Sequence, residues 1–469
     1  MTERRASMEK ARGVAWLLTA LTFVLTFIMR VRGISTHFWL LEDQVRDWGI
    51  ALRPFTQLPL VGPPTHVHGY TIGPAFYWIL WGIRVTVGPW FHNLPHAGGI
   101  GQALLRSAAD ALLLFAIYRR TQSIWVALAA VTFITTAAYD VSLAALIWNP
   151  MMGVTLTEAA VGLLLLESYR TSRVWLLLTA AIAWMAVQAY TGAIFVAVSV
   201  FGAMLVEPLA RRDWRTFLRW SISIVLVIAA LQVPFMIHRL TAGVDAPAMG
   251  AVTGSVSAVL TGKASPEFAK SVAGYVAAFD AAQISPWHAP FVGWLLFAAG
   301  VVVAVRYRGD LPLVTLMLLT PFTAIVGFAL FLAAVETYNY LSLIPVTVLT
   351  VVLAATAIPS RGASEGVAGL MLVLAICAIP GRLHMAATMH RMPEYRLLVR
   401  ASQQIASRHM SMRAIWTEFR LPPTADAEFI YRIMGGRIQH GAPWMAIIMS
   451  DGTVVYRQMA DSTTSADRP

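Results

Sequence analysis

The chain is dominated by a succession of apolar runs, most of them close to the length needed to cross a lipid bilayer. They lie near 14–30, 72–89, 99–118, 124–139, 152–167, 174–188, 190–206, 219–237, 289–305, 311–333, 339–358 and 365–380. A helix needs about 20 mostly apolar residues to cross a hydrocarbon core of roughly 30 Å, and within lipid its backbone groups must pair inside the segment. A soluble fold has no use for so many such runs. Only 13% of the 469 residues are charged and 58% are hydrophobic, against about 25% charged in a soluble domain. The same figures exclude a disordered chain, which requires low hydrophobicity. The expected fold class is an all-α polytopic membrane protein.

The formal net charge of +11 would suggest a nucleic-acid partner in a soluble protein. Here the cations are nearly all arginine, with Lys10, Lys263 and Lys270 the only lysines, and they gather at the ends of apolar runs. Membrane topology demands that distribution, so no nucleic-acid partner is expected. The single cysteine, Cys377, excludes an intrachain disulfide or a multi-thiolate metal site. The basic stretch Met1–Gly13 precedes the first apolar run without a small-residue cleavage site. It reads as an uncleaved first helix with a cytoplasmic N-terminus.

Charge also decides which runs cross. If 72–89 spans, the ends carrying Arg119, Arg120, Arg170, Arg173, Arg306, Arg308 and the group Arg211–Arg219 all fall outside. If 72–89 lies along the outer surface, all of them become cytoplasmic, together with Arg361. The second arrangement satisfies the positive-inside rule at several independent loops. The segment itself carries Arg84, Gly82 and Gly88 and is rich in Trp and Tyr, as an interfacial helix is. About eleven spanning helices follow, with the C-terminus outside. The expected division is a transmembrane unit over 1–380 and a small extracytoplasmic unit over 381–469. The latter is read as mixed α/β, with strands at 428–434 and 444–449 and a turn at Asp451–Gly452.

The outer loops then carry the candidate chemistry. The first reads Glu42-Asp43-Gln44-Val45-Arg46-Asp47 just after the first span. Carboxylates at the hydrocarbon edge are costly unless solvated, paired or functional. The same residues would also serve as a solvated juxtamembrane turn. Further on, Gly62-Pro63-Pro64-Thr65-His66-Val67-His68-Gly69-Tyr70 dictates an irregular loop, with His66, His68 and Tyr70 as phosphate or sugar contacts or as interfacial anchors. A second loop offers Asp140 and then Trp148-Asn149-Pro150. Arg106 lies within an apolar run near its outer end, either functional or snorkelling to the interface. Glu336 and Tyr340 flank a later outer boundary. His238-Arg239 opens a long loop over 238–288, poor in candidates, and the histidines of the tail lack metal-ligand spacing.

The motifs Glu42–Asp47, Gly62–Trp78 and Trp148–Pro150, in that order and with this topology, resemble the GT-C glycosyltransferases. The resemblance is to the bacterial branch related to protein O-mannosyltransferases and the lipid A aminoarabinose transferase. It covers roughly residues 14–380, most strongly before residue 170. It implies a polyprenyl-phosphate sugar donor, an extracytoplasmic acceptor hydroxyl on a glycolipid, polysaccharide or protein, and a bacterial plasma-membrane location. It implies Asp43 as general base, Glu42 as its substitute, and Asp47 and Asp140 as supporting acids. Arg46, His66, His68, Tyr70, Arg106, Trp148, Asn149, Glu336 and Tyr340 are the candidate substrate contacts. Glu42, Asp43, Asp47 and Asp140 could hold Mg²⁺ or Mn²⁺, but no metal or other cofactor is expected. Three other readings remain at this point. A lipid-linked-sugar transporter or flippase would want charges at mid-membrane or broken helices in matched halves. A non-catalytic subunit of envelope polysaccharide assembly would have no use for the acidic cluster. A ligase or polymerase would place its chemistry in a large late loop.

Overall fold

The computed structural model describes residues 2–64, 70–242, 261, 265–284, 290–330, 336–389, 392–419 and 424–459. The helices, in chain order, are α1 (Thr2–Val31), α2 (Ile34–His37), α3 (Glu42–Ala51), α4 (Ala75–Thr86), α5 (Pro95–Thr121), α6 (Ile124–Thr135), α7 (Ala138–Leu143), α8 (Asn149–Leu165), α9 (Arg173–Ala189), α10 (Ile194–Ala210), α11 (Trp214–Ala242), α12 (Ser265–Phe279), α13 (Val292–Arg306), α14 (Leu311–Leu330), α15 (Ile344–Ala355), α16 (Arg361–Thr388), α17 (Tyr395–Ala406) and α18 (Thr424–Ile433). Among the described residues, seven helical segments are long and apolar enough to cross a membrane: Gly13–His37, Pro95–Thr121, Thr191–Ala210, Trp214–Ala242, Leu311–Leu330, Thr337–Ala355 and Arg361–Ala387. The other expected spans form the shorter helices α6, α8, α9 and α13.

The run at 72–89 behaves as its charge pattern requires. Its helix α4 has 12 residues, about 18 Å at 1.5 Å per residue. Phe76, Tyr77, Leu80 and Ile83 of α4 are buried, in a core shared with the outer loops.

The arginine-rich ends meet at one end of the bundle. Arg120, at the end of α5, is paired with Glu167 after α8 and with Asp310 between α13 and α14, the latter with Nε–Oδ2 3.0 Å. Arg170 reaches Glu167 at 2.6 Å and Glu207 of α10 at 2.7 Å. Arg361, opening α16, donates to the Gln122 carbonyl at 3.4 Å. These are the ends that charge alone groups together once α4 does not cross.

The opposite end carries the first loop and the tail. The tail's sheet has the order β2-β1-β3-β4, from β1 (Ser411–Thr417), β2 (Arg437–Ile438), β3 (Trp444–Ile448) and β4 (Val454–Gln458). β1 pairs in parallel with β2 and β3, and β3 pairs antiparallel with β4. The expected turn at Gly452 is present, with a positive φ that suits glycine. One apolar core joins Phe38, Leu40 and Trp48 of the first loop to Tyr395, Leu398, Met412 and Ile430 of the tail. The rings of Phe38 and Tyr395 lie 5.3 Å apart.

Two expectations are corrected here. Glu428–Met434 is not a strand but most of α18: Ala427, Ile430 and Tyr431 are buried at helical spacing, and β1, unpredicted, fills the sheet instead. His238 and Arg239 do not open a loop but belong to the last turns of α11. Within the long loop expected over 238–288, Ser265–Phe279 forms α12.

Gly99 of α5 sets how closely the loop before α8 can approach. A Cβ there would lie 2.0 Å from the Ala145 carbonyl oxygen, a backbone atom that cannot rotate away. Gly82 of α4 faces open space. Gly99→Ala should therefore cost about 1–3 kcal/mol by overpacking and lower the thermal unfolding midpoint in detergent. Gly82→Ala should leave that midpoint unchanged or raise it, since alanine favours a helix by roughly 0.5–1 kcal/mol over glycine.

Candidate active site

The acidic cluster forms because the chain turns into α3 immediately after leaving the first span. Glu42 and Asp43 occupy the first turn of α3, where carboxylates meet the positive end of the helix dipole. Arg46 lies one turn on and reaches Asp43 at 2.6 Å. Its guanidinium also grips Asp47 bidentately, Nε–Oδ1 at 2.8 Å and Nη2–Oδ2 at 3.1 Å. The Tyr77 hydroxyl of α4 donates to Asp47 Oδ1 at 3.1 Å.

Exposure separates the two aspartates. The Asp43 side chain is 63% exposed, Arg46 35% and Asp47 2%. Asp47 is thus an internal fastener with both oxygens engaged, and Asp43 presents its carboxylate to solvent. Burial pushes the Asp47 carboxyl up, against the opposing pull of Arg46 and Tyr77. Burial opposes the Arg46 charge, but Asp47 and Asp43 outweigh it and hold the guanidinium above its ordinary range. The Tyr77 phenol is pushed well up by burial and by the Asp47 charge, so it acts as a donor.

Around this group, the buried Trp48 indole donates to the Asn93 carbonyl at 2.6 Å. Gly62 and Pro63 ladder with Thr71, and Pro64 bridges Tyr70. A Cβ at Gly62 would meet Thr71 Oγ1 at 1.8 Å, so the ladder needs glycine there. Tyr70 is half exposed. His66 and His68 lie outside the described residues.

The remaining candidates separate into two places. Trp148 stacks obliquely on Tyr338, with ring centroids 5.6 Å apart, and its carbonyl accepts from Gln102 at 3.3 Å. Asn149 donates to the Ala189 carbonyl at 3.3 Å. Glu336 is exposed. Tyr340 is fully buried, its hydroxyl donating to the Ser271 carbonyl of α12 at 2.9 Å.

Arg106 and Asp140 belong to a buried ionic network. Arg30 of α1 pairs with Asp110 of α5 at 2.5 Å, with Ser107 at 3.0 Å and with Asp140 of α7. Arg106 pairs with Asp140 at 2.9 Å and with Glu158 of α8 at 2.5 Å. Every member has a side chain at most 7% exposed. Asp110 and Glu158 stand within the apolar runs 99–118 and 152–167. Their residue types inside those runs were the available signal. Nothing in the local sequence marks Tyr77, or Asp426 of α18. Among the described residues no group of three or more His, Cys, Asp and Glu side chains is gathered to hold a metal ion.

Asp426 brings the tail to the site. It is 1% exposed, and Phe429, one turn on, packs against Gly49 of α3. Burial, reinforced by the charge of Glu42, pushes its carboxyl up to about 6.

No family model matches the chain, and no curated protein does. Among solved structures, the chain is similar to ArnT from Cupriavidus metallidurans bound to undecaprenyl phosphate, at 12% identity and a TM-score of 0.49, over 91% of this chain and 85% of that one. At that level nothing about this chain's chemistry follows from the likeness.

Two outcomes are expected. Arg30→Met should lower thermal stability by about 3–5 kcal/mol, because it strands buried carboxylates. Adding Asp110→Leu should recover part of the loss, since members of one network are not additive. The raised Asp426 value means that the docked tail holds that proton more tightly than the free tail. Docking should be firmest below about pH 3.8, weaken as the pH rises to about 6, and level off above. Protease protection of the tail measures this, and Asp426→Asn should flatten the profile.

Proposed function

We propose that the protein is an integral-membrane glycosyltransferase. It transfers a sugar from a polyprenyl-phosphate donor to a hydroxyl acceptor at the outer face of a bacterial plasma membrane. The observation that carries this reading is the exposed Asp43 carboxylate, held at a fixed position by an arginine that is itself anchored on buried Asp47 and Tyr77. A general base must reach substrate and keep its geometry. Asp43 meets the first condition by exposure and the second through Arg46. The resemblance of the loop motifs to the GT-C family supports the same assignment.

In this mechanism an acceptor oxygen attacks the anomeric carbon while its proton passes to Asp43. The bond between that carbon and the phosphate oxygen breaks, and the phosphate leaves with the electron pair. Cationic and hydrogen-bonding groups stabilise the charge that develops on it. Arg46, Tyr70, His66 and His68 are the proposed donors, with Trp148 and Asn149 shaping the pocket. Arg106 and Asp140 act as positioning residues beneath it. Glu42, exposed beside Asp426, is the alternative base. The sugar and the acceptor class stay open among glycolipid, polysaccharide and protein. The N-terminus and the arginine-rich ends are placed in the cytoplasm by the charge rule, and the tail outside.

A transporter reading has one observation in its favour, the charges within the spans. They argue against a through-path nonetheless, because they are sealed from solvent and paired with one another.

Nanodisc-reconstituted protein should release label from one member of a panel of radiolabelled polyprenyl-phosphate sugars when acceptor is present. Asp43→Asn should reduce transfer by about 10²–10⁴-fold at unchanged thermal stability. Loss in Glu42→Gln with a fully active Asp43→Asn would move the base to Glu42. Turnover unaffected by both would reject a carboxylate base in this loop, and no turnover with any donor would count against the transferase itself.

A further inference from the structure

At the end of the bundle away from α3, a cavity of about 750 Å³ opens between α5, α8, α10 and α14. That volume is within the roughly 300–1,000 Å³ of small-molecule sites. Its ionic lining forms a chain: Asp310, Arg120, Glu167, Arg170, Glu207 and Arg211, each joined to the next. Three arginines and three carboxylates neutralise one another there. Arg119 and Arg308 also line the cavity. Neither has a carboxylate within ion-pair distance among the described residues. The cavity therefore carries an excess of about two positive charges.

We propose that this cavity binds a phosphate group, with Arg119 and Arg308 as its principal contacts. The positive-inside rule accounts for arginines at this end of the helices. It does not account for two of them lining one polar cavity whose other three arginines, Arg120, Arg170 and Arg211, are each paired with carboxylates. Basic pockets between membrane helices on the cytoplasmic side suit phospholipid head groups. A phosphate diester on an anionic lipid and a free phosphate share this chemistry. The site is separate from the transfer chemistry of the outer loop and holds whether or not that reading does.

The test compares wild type, Arg119→Gln/Arg308→Gln, and the control Arg215→Gln/Arg219→Gln, which removes equal charge at the same end but outside the cavity. Each is purified in a neutral detergent. Bound lipid after addition of phosphatidylglycerol or phosphatidylcholine is counted by native mass spectrometry, and the shift in unfolding midpoint is read with each lipid and with inorganic phosphate. Wild type and the control should retain phosphatidylglycerol and gain stability from it. The cavity variant should bind it at least tenfold more weakly, with an unchanged midpoint in lipid-free detergent. A shift from inorganic phosphate alone, lost in the same variant, would support the site with a soluble ligand. Equal losses in the cavity variant and the control would overturn the proposal in favour of diffuse attraction to charge, as would equal retention of the two lipids by wild type.

Discussion

The half of the molecule that carries the first loop depends on a knot of five charged side chains, each at most 7% exposed. Arg30, Arg106, Asp110, Asp140 and Glu158 come from α1, α5, α7 and α8. A lone charge at that depth would cost several kcal/mol, so none of these helices can slide or rotate without breaking ion pairs with another. The knot therefore sets the relative height of four helices. Everything above it inherits that registration: α1 delivers the first loop, and the turn into α8 delivers Trp148 and Asn149. Hydrophobic packing alone would specify height weakly, since one apolar turn fits lipid much as the next does.

Above the knot, the site divides labour between similar residues. Asp43 and Asp47 stand one helical turn apart on either side of the guanidinium they share. The inner one fixes Arg46 against α4, and the outer one is left facing water. A carboxylate free in solution would be mobile, and one fully buried would be unreachable. Sharing an arginine between an inner and an outer partner gives one group that is both fixed and accessible.

Much of this was legible in the chain, for identifiable reasons. Arginine placement told which ends lie together and that α4 does not cross, because charge at membrane edges has a large and directional cost. The acidic cluster was legible because carboxylates rarely sit at a hydrocarbon edge without a reason. Pairing was not. Arg106 and Asp140 stood out singly, but that they join Arg30, Asp110 and Glu158 depends on which helices are neighbours, and apolar surfaces say little about that. The helix at Thr424–Ile433 was misread because Phe429, Ile430 and Tyr431 favour strands locally, while burial along one helical stripe wins in the folded tail. Tyr77 and Asp426 acquire meaning only when α4 and the tail close on α3.

That last closure bears on how the protein comes to exist. The segment that covers the first loop is synthesised long after it: Tyr395, Ile430 and the sheet behind them pack on residues made some 350 positions earlier. Throughout insertion of the intervening helices, Phe38, Leu40 and Trp48 have no tail to lie against. The packing around α3 is therefore completed late, and a ribosome that stops short of the tail leaves a helix bundle whose first loop lacks its cover. Synthesis of the tail is in this sense a structural step in shaping the first loop, and a product truncated before the tail leaves that loop unfinished.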